Sequence, residues 1–257
     1  MKAAIVTVAG LSSRFNEGLE PSQHRLKAIY HTNDSRDTLL FHMMEKLDYA
    51  DKIIVVGGYQ YKELINYITS VFTKNVQNKI VLVENTHFSD LSSGYSLYLG
   101  IKAAFDEVSN MSEIFFAEGD LDVDEASFQK ILSCEKSVIT YNRETICSDK
   151  SVVVYQNESN RYCYAFNRAH GLLKINEPFK AIWNSGQMWK FTNTELLKKV
   201  NDFFYEHYIS ESNLSIIQGY FDELSLEEIE VLGFSRWVNC NTRADYRLIK
   251  KKWEGVR

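Results

Sequence analysis

A turn rich in glycine and serine follows the first apolar run of the sequence and reads Val8-Ala9-Gly10-Leu11-Ser12-Ser13-Arg14-Phe15. A glycine there lets the backbone approach a ligand closely. Successive backbone N–H groups, together with two hydroxyls, can hold phosphate oxygens, and the planar guanidinium of Arg14 suits phosphate. The turn contains neither GxxxxGK[ST] nor GxGxxG, so it is not a P-loop or a dinucleotide fingerprint. An ordinary strand-to-helix turn remains the alternative.

Two charged residues further along the chain could complete a polyphosphate site. Lys27 enters the apolar run Leu26-Lys27-Ala28-Ile29, where its ammonium needs an anion or water; a surface lysine that reaches solvent is the alternative. Asp120 ends the turn Glu118-Gly119-Asp120, directly after an apolar run. A carboxylate is a hard oxygen ligand for Mg²⁺, which also keeps waters and substrate phosphates. The turn with Arg14 and Lys27 could therefore neutralise a triphosphate, with Asp120 holding its Mg²⁺.

Two more acids, Asp122 and Asp124, extend Asp120 into a D-x-D-x-D run. An EF-hand loop is excluded, because no glycine stands at its sixth position and Ile131 replaces the glutamate of its twelfth. Asp124 can instead cap a following helix. Asp120 is therefore the metal ligand favoured by the sequence.

The aromatic segment Trp183-Asn184-Ser185-Gly186-Gln187-Met188-Trp189 is a candidate acceptor site. Tryptophan and tyrosine faces bind quaternary ammonium groups by cation–π attraction, which would suit phosphocholine. We assign Tyr95, Trp183, Gln187 and Trp189 to this site, with core packing as the alternative. Six dispersed histidines and the lack of GxSxG speak against a hydrolase triad.

The elements that must position these residues alternate in the first half of the chain. Apolar runs predict strands over 3–8, 52–56, 79–83 and 113–117, and helical spacing predicts helices over 38–47, 61–72 and 96–105. This alternation is typical of βαβ units in a parallel, doubly wound sheet with right-handed crossovers. Ligands bind beyond the carboxyl ends of such strands, where the two charged turns are expected.

The second half is richer in strands, predicted over 137–141, 151–156, 161–167, 182–191, 228–232 and 237–240. Helices are predicted over 193–205, 213–223 and 243–253. The fold class is therefore α/β: three α/β/α layers around a mostly parallel sheet with an antiparallel or mixed C-terminal portion. Two prolines and no Gly/Ser/Pro-rich linker favour a single domain over 1–257, with a nucleotide-binding half (1–125) and an acceptor-binding half (126–257).

Composition excludes several classes of partner. The formal net charge is −5 and no basic stripe occurs, which speaks against nucleic acid. The run Lys250-Lys251-Lys252 is interpreted as the solvated end of a helix. The first apolar run is too short for a signal peptide or a membrane span. Four cysteines without a CxxC pair are then expected to be reduced thiols of a cytoplasmic protein.

The ordered set AGLSSRF, LKA, VVGGYQY, SSGYSLYLGIKAA, FAEGD and VNCNTRADY resembles the GT-A-like NTP-transferase superfamily of nucleotidyltransferases. Within it, the chain looks most like the choline-phosphate cytidylyltransferase (LicC-type) branch, over nearly its whole length. The resemblance implies a Rossmann-like nucleotidyltransferase fold. It also implies a Mg²⁺-dependent transfer of CMP from CTP to a small phosphorylated or phosphonylated acceptor such as phosphocholine, with release of pyrophosphate, in cell-surface polysaccharide biosynthesis.

The resemblance also assigns roles to residues. The loop from Ala9 to Arg14 would wrap the triphosphate, Lys27 would stabilise its charge and Asp120 would coordinate Mg²⁺. Arg14, Lys27 and Asp120 are thus the expected catalytic residues. The base and ribose would meet the turn at Gly58 and Tyr59 and the helix start at Ser93 and Gly94, and Glu118 is grouped with them.

The chain departs from the resembled pattern near its C-terminus. The family usually carries a second metal-binding acid in a pattern like I-D-T/S-x-x-D-Y, and here Asn241 takes that position. An amide oxygen is a neutral ligand, so the metal site of Asp120 and Asn241 would be less negative. Asp245 is expected to cap or orient the last helix.

Other functions stay open at this point. The acceptor could be a sugar-1-phosphate or an alditol phosphate, and Asn241 is compatible with a nucleotide-binding protein that lacks catalysis. A GT-A glycosyltransferase would use Asp120-Leu121-Asp122 to hold a nucleotide sugar, but this leaves the AGLSSR turn unexplained. The nucleotide, the acceptor and the oligomeric state are also open, with a homodimer as one candidate.

Overall fold

A nine-stranded sheet forms the central layer of the fold. The computed structural model describes residues 1–166 and 172–254. Along the chain the strands are β1 (Lys2–Thr7), β2 (Lys52–Gly57), β3 (Ile80–Glu84), β4 (Glu113–Glu118), β5 (Leu121–Val123), β6 (Ser137–Asn142), β7 (Val152–Asn157), β8 (Tyr162–Phe166), β9 (Phe179–Phe191), β10 (Ile229–Gly233) and β11 (Trp237–Asn239). The main sheet has the order β10-β6-β9-β4-β1-β2-β3, and β7 joins it through β9 and pairs with β8.

Helices cover both faces of this sheet. They are α1 (Leu39–Lys46), α2 (Tyr61–Val71), α3 (Lys74–Lys79), α4 (Ser93–Glu107), α5 (Glu125–Ser133), α6 (Thr194–His207), α7 (Asn213–Asp222) and α8 (Arg243–Glu254). Because successive strand residues point to opposite faces, Ala4 and Val6 of β1 pack with α1, α2 and α5. Ala3 and Ile5 pack with α4, α6 and α7. The result is the three-layer arrangement expected from the sequence.

The pairing directions divide the sheet. β1 is parallel to β2 and β4, and β2 is parallel to β3. β9 runs antiparallel to β4 and β6, whereas β10 is parallel to β6. A mostly parallel first half with a mixed C-terminal portion confirms the predicted fold class. The carboxyl ends of β1, β2 and β4 therefore meet at one edge.

Most predicted elements occur within a few residues of their expected bounds, but three features were not predicted. The sequence patterns predict neither α3 nor β5, and they do not separate β11 from the main sheet. In the structure, β11 pairs with β5 in a two-stranded antiparallel sheet. A three-residue strand whose partner lies far along the chain carries no local periodicity. The strand predicted over 161–167 ends at Phe166, and Asn167 lies outside the described residues.

The structure also bears on the cysteines, on the lysine run near the C-terminus and on possible membrane spans. All four cysteines are free thiols. Lys250 lies near the end of α8, where it pairs with Asp37 and Glu254. Within residues 1–166 and 172–254, no helix is long and apolar enough to cross a membrane.

Candidate active site

A cleft of about 440 Å³ opens at the carboxyl ends of β1 and β4. One wall is the turn after β1, which contributes Ala9, Gly10 and Ser12, and the turn after β4 contributes Glu118 to Asp120. The starts of α4 and α7 close the other side. Both halves of the chain therefore contribute to one cleft, at the edge where a parallel sheet binds ligands.

The turns after β1 and β4 pack closely together. The Gly119 amide donates to the Thr7 carbonyl at 3.0 Å. A Cβ on Gly119 would lie 2.3 Å from Cγ1 of Val8, so only glycine fits there. A Cβ on Gly10, in contrast, would meet no atom within 4 Å. Gly10 therefore leaves the backbone open to the cleft, whereas Gly119 brings the acidic turn against the β1 turn.

Lys27 and Asp120 form an ion pair in this cleft. The Lys27 ammonium lies 2.5 Å from Oδ2 of Asp120, and both side chains are largely buried. The Lys27 amide donates to Oγ of Ser12 at 3.1 Å, and Ser12 has a left-handed backbone with φ of 56°. The glycine-serine turn, the lysine and the carboxylate thus meet around one space.

The second carboxylate oxygen of Asp120 is buried and accepts no hydrogen bond from the described residues. An unpaired buried oxygen costs free energy unless a ligand or cation satisfies it. No group of three or more His, Cys, Asp or Glu side chains in the described ranges is placed to hold a metal. Mg²⁺ needs only one or two carboxylates when water and substrate phosphates supply the rest. The donor set at Asp120 therefore fits a substrate-bridged Mg²⁺, and not a metal held by protein alone.

Glu118 connects the acidic turn to the helix starts. Its Oε1 accepts from Nδ2 of Asn213 at 2.9 Å, and Oδ1 of Asn213 accepts from the Ser93 hydroxyl at 3.2 Å. Burial raises the pKa of Glu118 to about 7, and the negative charge of Asp120 adds to this, while Asn213 and Lys27 oppose it. Glu118 therefore anchors α4 and α7 at the edge of the cleft.

Three of the expected base-binding residues, Gly58, Tyr59 and Gly94, are not lining residues of the cleft. A Cβ on Gly58 would be 2.7 Å from Cβ of Phe88, and the Tyr59 amide donates to the Ala9 carbonyl at 3.1 Å. A Cβ on Gly94 would be 2.4 Å from the Glu211 carbonyl. Gly58 and Gly94 thus allow close packing of the walls, and Ser93 and Glu118 are the members of this set that line the space.

Three residues of the first turn lie outside the lining of the cleft. Leu11, Ser13 and Arg14 are exposed and are not among its lining residues. Arg14 begins a short 3₁₀ turn, Arg14–Asn16. Its guanidinium makes no hydrogen bond or ion pair with the rest of the described chain. Contact between Arg14 and a phosphate stays a prediction and needs a movement of this side chain.

The acids that follow Asp120 have structural roles. Asp122 is buried and pairs with Arg236 and with Nε1 of Trp253. Asp124 caps α5, because its carboxylate accepts from the Ser127 amide at 2.8 Å. The capping role expected for Asp124 is therefore confirmed. Neither acid lines the cleft, so Asp120 is the member of the D-x-D-x-D run that faces it.

The C-terminal asparagines lie beside Asp120, since the Cys240 amide donates to the Asp120 carbonyl at 2.8 Å. The backbone N–H of Asn241 donates to Oδ2 of Asp245 at 3.0 Å. The residue does not line the cleft. Asn239 donates to Oε1 of Gln187, while its own Oδ1 is buried without a partner in the described chain. Asp245 also accepts from the Thr242 amide at the start of α8, so its predicted capping role is confirmed.

The four predicted acceptor residues do not meet in one aromatic cage. Gln187 and Trp189 line the cleft, whereas Trp183 and Tyr95 do not. Trp189 is buried and stacks on Phe116 with ring centroids 5.3 Å apart. The ring of Trp183 makes a tilted contact with the ring of Tyr141, and Tyr95 stacks on Tyr98. Trp189 is thus a core side chain at the floor of the cleft, and the cage is not assembled in this structure.

Sequence reasoning missed several lining residues, above all those at the start of α7. Ser212, Asn213 and Leu214 line the cleft, as do Asn85 and Phe88. Asn213 was recognised only as the beginning of a helix. Its contact with Glu118 joins positions far apart in the chain, so no local pattern could reveal it.

Comparison with known proteins supports the fold. A family model described as "Domain of unknown function (DUF6564)" matches residues 23–253. No curated protein matches the sequence. The inositol-1-phosphate CTP transferase from T. maritima superposes with a TM-score of 0.66 at 18% identity, covering 99% of this chain and 97% of that chain.

Two further solved structures are similar. CTP:phosphocholine cytidylyltransferase (LicC) from Streptococcus pneumoniae has a TM-score of 0.67 at 18% identity, with 98% of this chain and 99% of that chain covered. A UDP-glucose pyrophosphorylase has a TM-score of 0.68 at 12% identity, with 100% of both chains covered. The nucleotidyltransferase fold implied by the sequence resemblance is therefore confirmed.

Proposed function

The chain belongs to the DUF6564 family, and from its cleft we propose that it is a nucleotidyltransferase. The observation that carries this proposal is the Lys27–Asp120 pair beside the open backbone of Gly10. A cation and a carboxylate with one unpaired oxygen are the two groups needed to bind a metal–polyphosphate complex from both sides. The shared fold with nucleotidyltransferases of known structure is consistent with it.

Without a nucleotide, Lys27 and Asp120 neutralise each other. A bound triphosphate would supply new oxygens for the Lys27 ammonium, and Asp120 would then face a cation with both carboxylate oxygens. The Gly10 and Ser12 backbone would approach the phosphates, because a Cβ-free position allows close contact. The ion pair is thus a resting arrangement that a nucleotide replaces.

We propose Mg²⁺ as the cation, held by Asp120 and by the phosphates. A divalent cation in this position would withdraw negative charge from the phosphates and orient them. The carboxamides of Asn239 and Asn241 lie close in sequence to the Cys240 amide that binds the Asp120 carbonyl, so they are the candidates for a second, neutral ligand.

The proposed chemistry is an in-line displacement at the α-phosphorus. An oxygen of the acceptor phosphate or phosphonate forms a bond to this phosphorus, and the bond to the bridging α–β oxygen breaks. The electron pair leaves with pyrophosphate, and an anionic acceptor needs no general base. The protein then contributes position and charge, which Lys27 provides at the phosphates.

For the substrates we propose CTP and a small phosphorylated or phosphonylated acceptor similar to phosphocholine. Two of the similar structures are a CTP:phosphocholine cytidylyltransferase and an inositol-1-phosphate CTP transferase. The wall formed by Val152, Phe166 and Leu214 is apolar and would suit a compact headgroup. Sugar-1-phosphates are the alternative, since UDP-glucose pyrophosphorylase has the same fold.

Pyrophosphate release tests this proposal directly. The purified protein is incubated with each of the four NTPs and Mg²⁺ against phosphocholine, 2-aminoethylphosphonate, alditol phosphates and sugar-1-phosphates. We expect release with CTP and one acceptor class. Lys27→Ala and Asp120→Ala should each lower kcat/KM by about 100-fold or more, because each removes a charge that faces the phosphates.

Asp124→Ala is the matched control among the acids, since Asp124 caps α5 outside the cleft. It should cost about 1 kcal/mol of stability and leave kcat/KM close to that of the unchanged protein. If Lys27→Ala and Asp120→Ala both kept normal pyrophosphate release, the assignment of the site would be wrong.

A second candidate is a nucleotide-binding protein without catalysis. The observation that favours it is Asn241, which stands where the resembled pattern has a second acid. Isothermal titration with CTP and Mg²⁺ distinguishes the two. Binding that Lys27→Ala abolishes, without turnover of any acceptor, would support this candidate against the enzyme.

A further inference from the structure

Residues 24–27 lead into the cleft without a strand partner. This segment is extended before the short 3₁₀ turn Lys27–Ile29, and Leu26 is buried in the core. Buried backbone N–H and C=O groups need hydrogen-bond partners. Here three side chains from two other segments supply them.

Asn16 binds one edge of the segment. Its Nδ2 donates to the Arg25 carbonyl at 2.9 Å, and its Oδ1 accepts from the Arg25 amide at 2.9 Å. The Asn16 side chain also donates to the Ser12 carbonyl at 3.1 Å, and the residue is only 3% exposed. The Asn16 carboxamide therefore joins this segment to the glycine-serine turn after β1, which we call the phosphate-side turn (residues 8–15).

Gln60 binds the opposite edge. Its Oε1 accepts from the Leu26 amide at 2.7 Å, and its Nε2 donates to the His24 carbonyl at 3.1 Å. The Gln60 backbone is left-handed, with φ of 52°, which is uncommon outside glycine and asparagine. This conformation occurs at the start of α2, so the orientation of the carboxamide is tied to that helix.

The two carboxamides act as the neighbouring strands of a sheet would. Asn16 pairs with Arg25, and Gln60 pairs with the residues on either side of it. A carboxamide is suited to this because it offers a donor and an acceptor on one rigid plane. The next residue is Lys27, whose amide is held by Ser12 and whose ammonium meets Asp120.

We propose that Asn16 and Gln60 are positioning residues that hold Lys27 opposite Asp120. This inference deepens the proposed function and rests on it, because Lys27 is its phosphate-binding cation. Asn16 and Gln60 touch neither the nucleotide nor the metal in this scheme. They determine where the Lys27 ammonium lies when the triphosphate arrives.

Gln60→Glu and Gln60→Met test the inference. The glutamate has no donor and turns a carboxylate toward the His24 carbonyl, whereas methionine removes both hydrogen bonds at similar size without charge. We expect kcat to fall by about tenfold to a hundredfold, the effect of misplacing a catalytic group by about 1 Å. The KM for the acceptor should stay nearly constant, because the acceptor does not meet this segment.

Gln77→Glu is the matched control. The Gln77 carboxamide also donates to two backbone carbonyls, those of Thr69 and Phe72, at the far end of α2. Its substitution removes the same kind of bond without touching residues 24–27. Turnover by Gln77→Glu should equal that of the unchanged protein, even if both glutamate variants lose similar thermal stability.

A readout independent of turnover is the rate at which Lys27 is acylated by an N-hydroxysuccinimide ester, followed by peptide mass spectrometry. Lys27 is paired with Asp120 and its side chain is 21% exposed, so its labelling should be slow. Gln60→Glu and Gln60→Met should accelerate it by about threefold or more through local opening, and Gln77→Glu should not. Equal labelling rates in Gln60→Met and Gln77→Glu would overturn the inference.

A double-mutant cycle tests whether the effect of Gln60 on turnover is exerted through Lys27. In a Lys27→Ala background, Gln60→Met should lower the residual turnover by less than about twofold, since residues that act through one another are not additive. A full additional loss would overturn the inference. Faster labelling of Lys27 in Gln60→Met, combined with no turnover of any substrate by the unchanged protein, would support the positioning role and refute nucleotidyl transfer.

Discussion

The glycines of the cleft show how one residue type serves opposite purposes. A Cβ on Gly119 would collide with Val8 and would lie 2.9 Å from the Thr7 carbonyl, whereas a Cβ on Gly10 would reach open space. Gly119 is therefore required by the packing of two turns. A Cβ on Gly10 would meet no protein atom within 4 Å, so at this position the backbone can approach a ligand closely.

Gly119→Ala and Gly10→Ala should consequently separate stability from binding. We expect Gly119→Ala to lower the free energy of unfolding by about 1–3 kcal/mol, because the new methyl overpacks a tight contact. Gly10→Ala should change it by less than about 0.5 kcal/mol yet weaken nucleotide binding. Urea unfolding and titration with CTP and Mg²⁺ measure the two effects. Equal losses of stability in both variants would contradict this account.

Acids close in sequence also differ at the residue scale. Asp120, Asp122 and Asp124 alternate along one short stretch, but one faces the cleft, one is buried against Arg236 and one caps a helix. The sequence favoured Asp120 as the metal ligand without excluding the other two. Lys27 and Arg236 pair with Asp120 and Asp122 from distant segments, whereas Asp124 caps the amide of nearby Ser127, and these partners separate the three roles.

At the scale of elements, α8 stabilises the phosphate-side turn from behind. The Arg243 guanidinium, at the start of α8, lies over the rings of Phe15 and Tyr30 at 5.4 and 4.6 Å from their centroids. It also donates to the Gln23 carbonyl at 3.1 Å. The last helix of the chain thus holds the segment that carries Ser12 and Lys27, although it contributes no lining residue.

Arg243→Ala should loosen this connection. The loss of two cation–π contacts and of two hydrogen bonds, to the Gln23 carbonyl and the Tyr30 hydroxyl, should cost about 1–3 kcal/mol and raise the KM for the nucleotide. Arg247→Ala, at an exposed position of the same helix, is the control and should change neither. Thermal unfolding and steady-state kinetics provide the measurements. An unchanged KM in a destabilised Arg243→Ala would show that α8 does not influence the turn.

The whole molecule is joined across its two halves by β9. This strand pairs with β4 of the first half and with β6 and β7 of the second. The apolar cores on both faces also combine residues from both halves, such as Val6 with Val138 and Ile5 with Leu197. The division predicted at residue 125 therefore does not correspond to a division in packing.

A shared sheet predicts a single cooperative unfolding transition. All four tryptophans lie in the second half, so their fluorescence reports chiefly on that half, although Trp189 and Trp253 also stack on Phe116 and His42 of the first half. Hydrogen exchange of β1 and β2 amides reports on the first half. Both probes should show the same midpoint in urea. Two separate midpoints would mean that the halves unfold as independent domains.

Much of the architecture could be predicted because it follows from local patterns. Apolar runs and helical spacing located β1, β2, β4 and most helices, and the alternation of strands and helices implied a parallel sheet. The position of the cleft followed as well, since the carboxyl ends of parallel strands share an edge. In contrast, β5 was missed because three residues carry too little periodicity. The six residues of α3 make fewer than two helical turns and include a single apolar side chain, Val76, so they show no helical spacing either.

The sequence by itself determined most of the strands and helices, and that the glycine-serine turn and the acidic turn lie at one edge. These properties depend on side-chain chemistry that repeats over a few residues. Only the tertiary structure decided which other side chains line the cleft, such as Asn213, that Arg14 is exposed outside this lining, and that Asn16 and Gln60 hold the segment before Lys27. Such choices depend on contacts between distant segments, whose geometry is set by the packing of the whole chain.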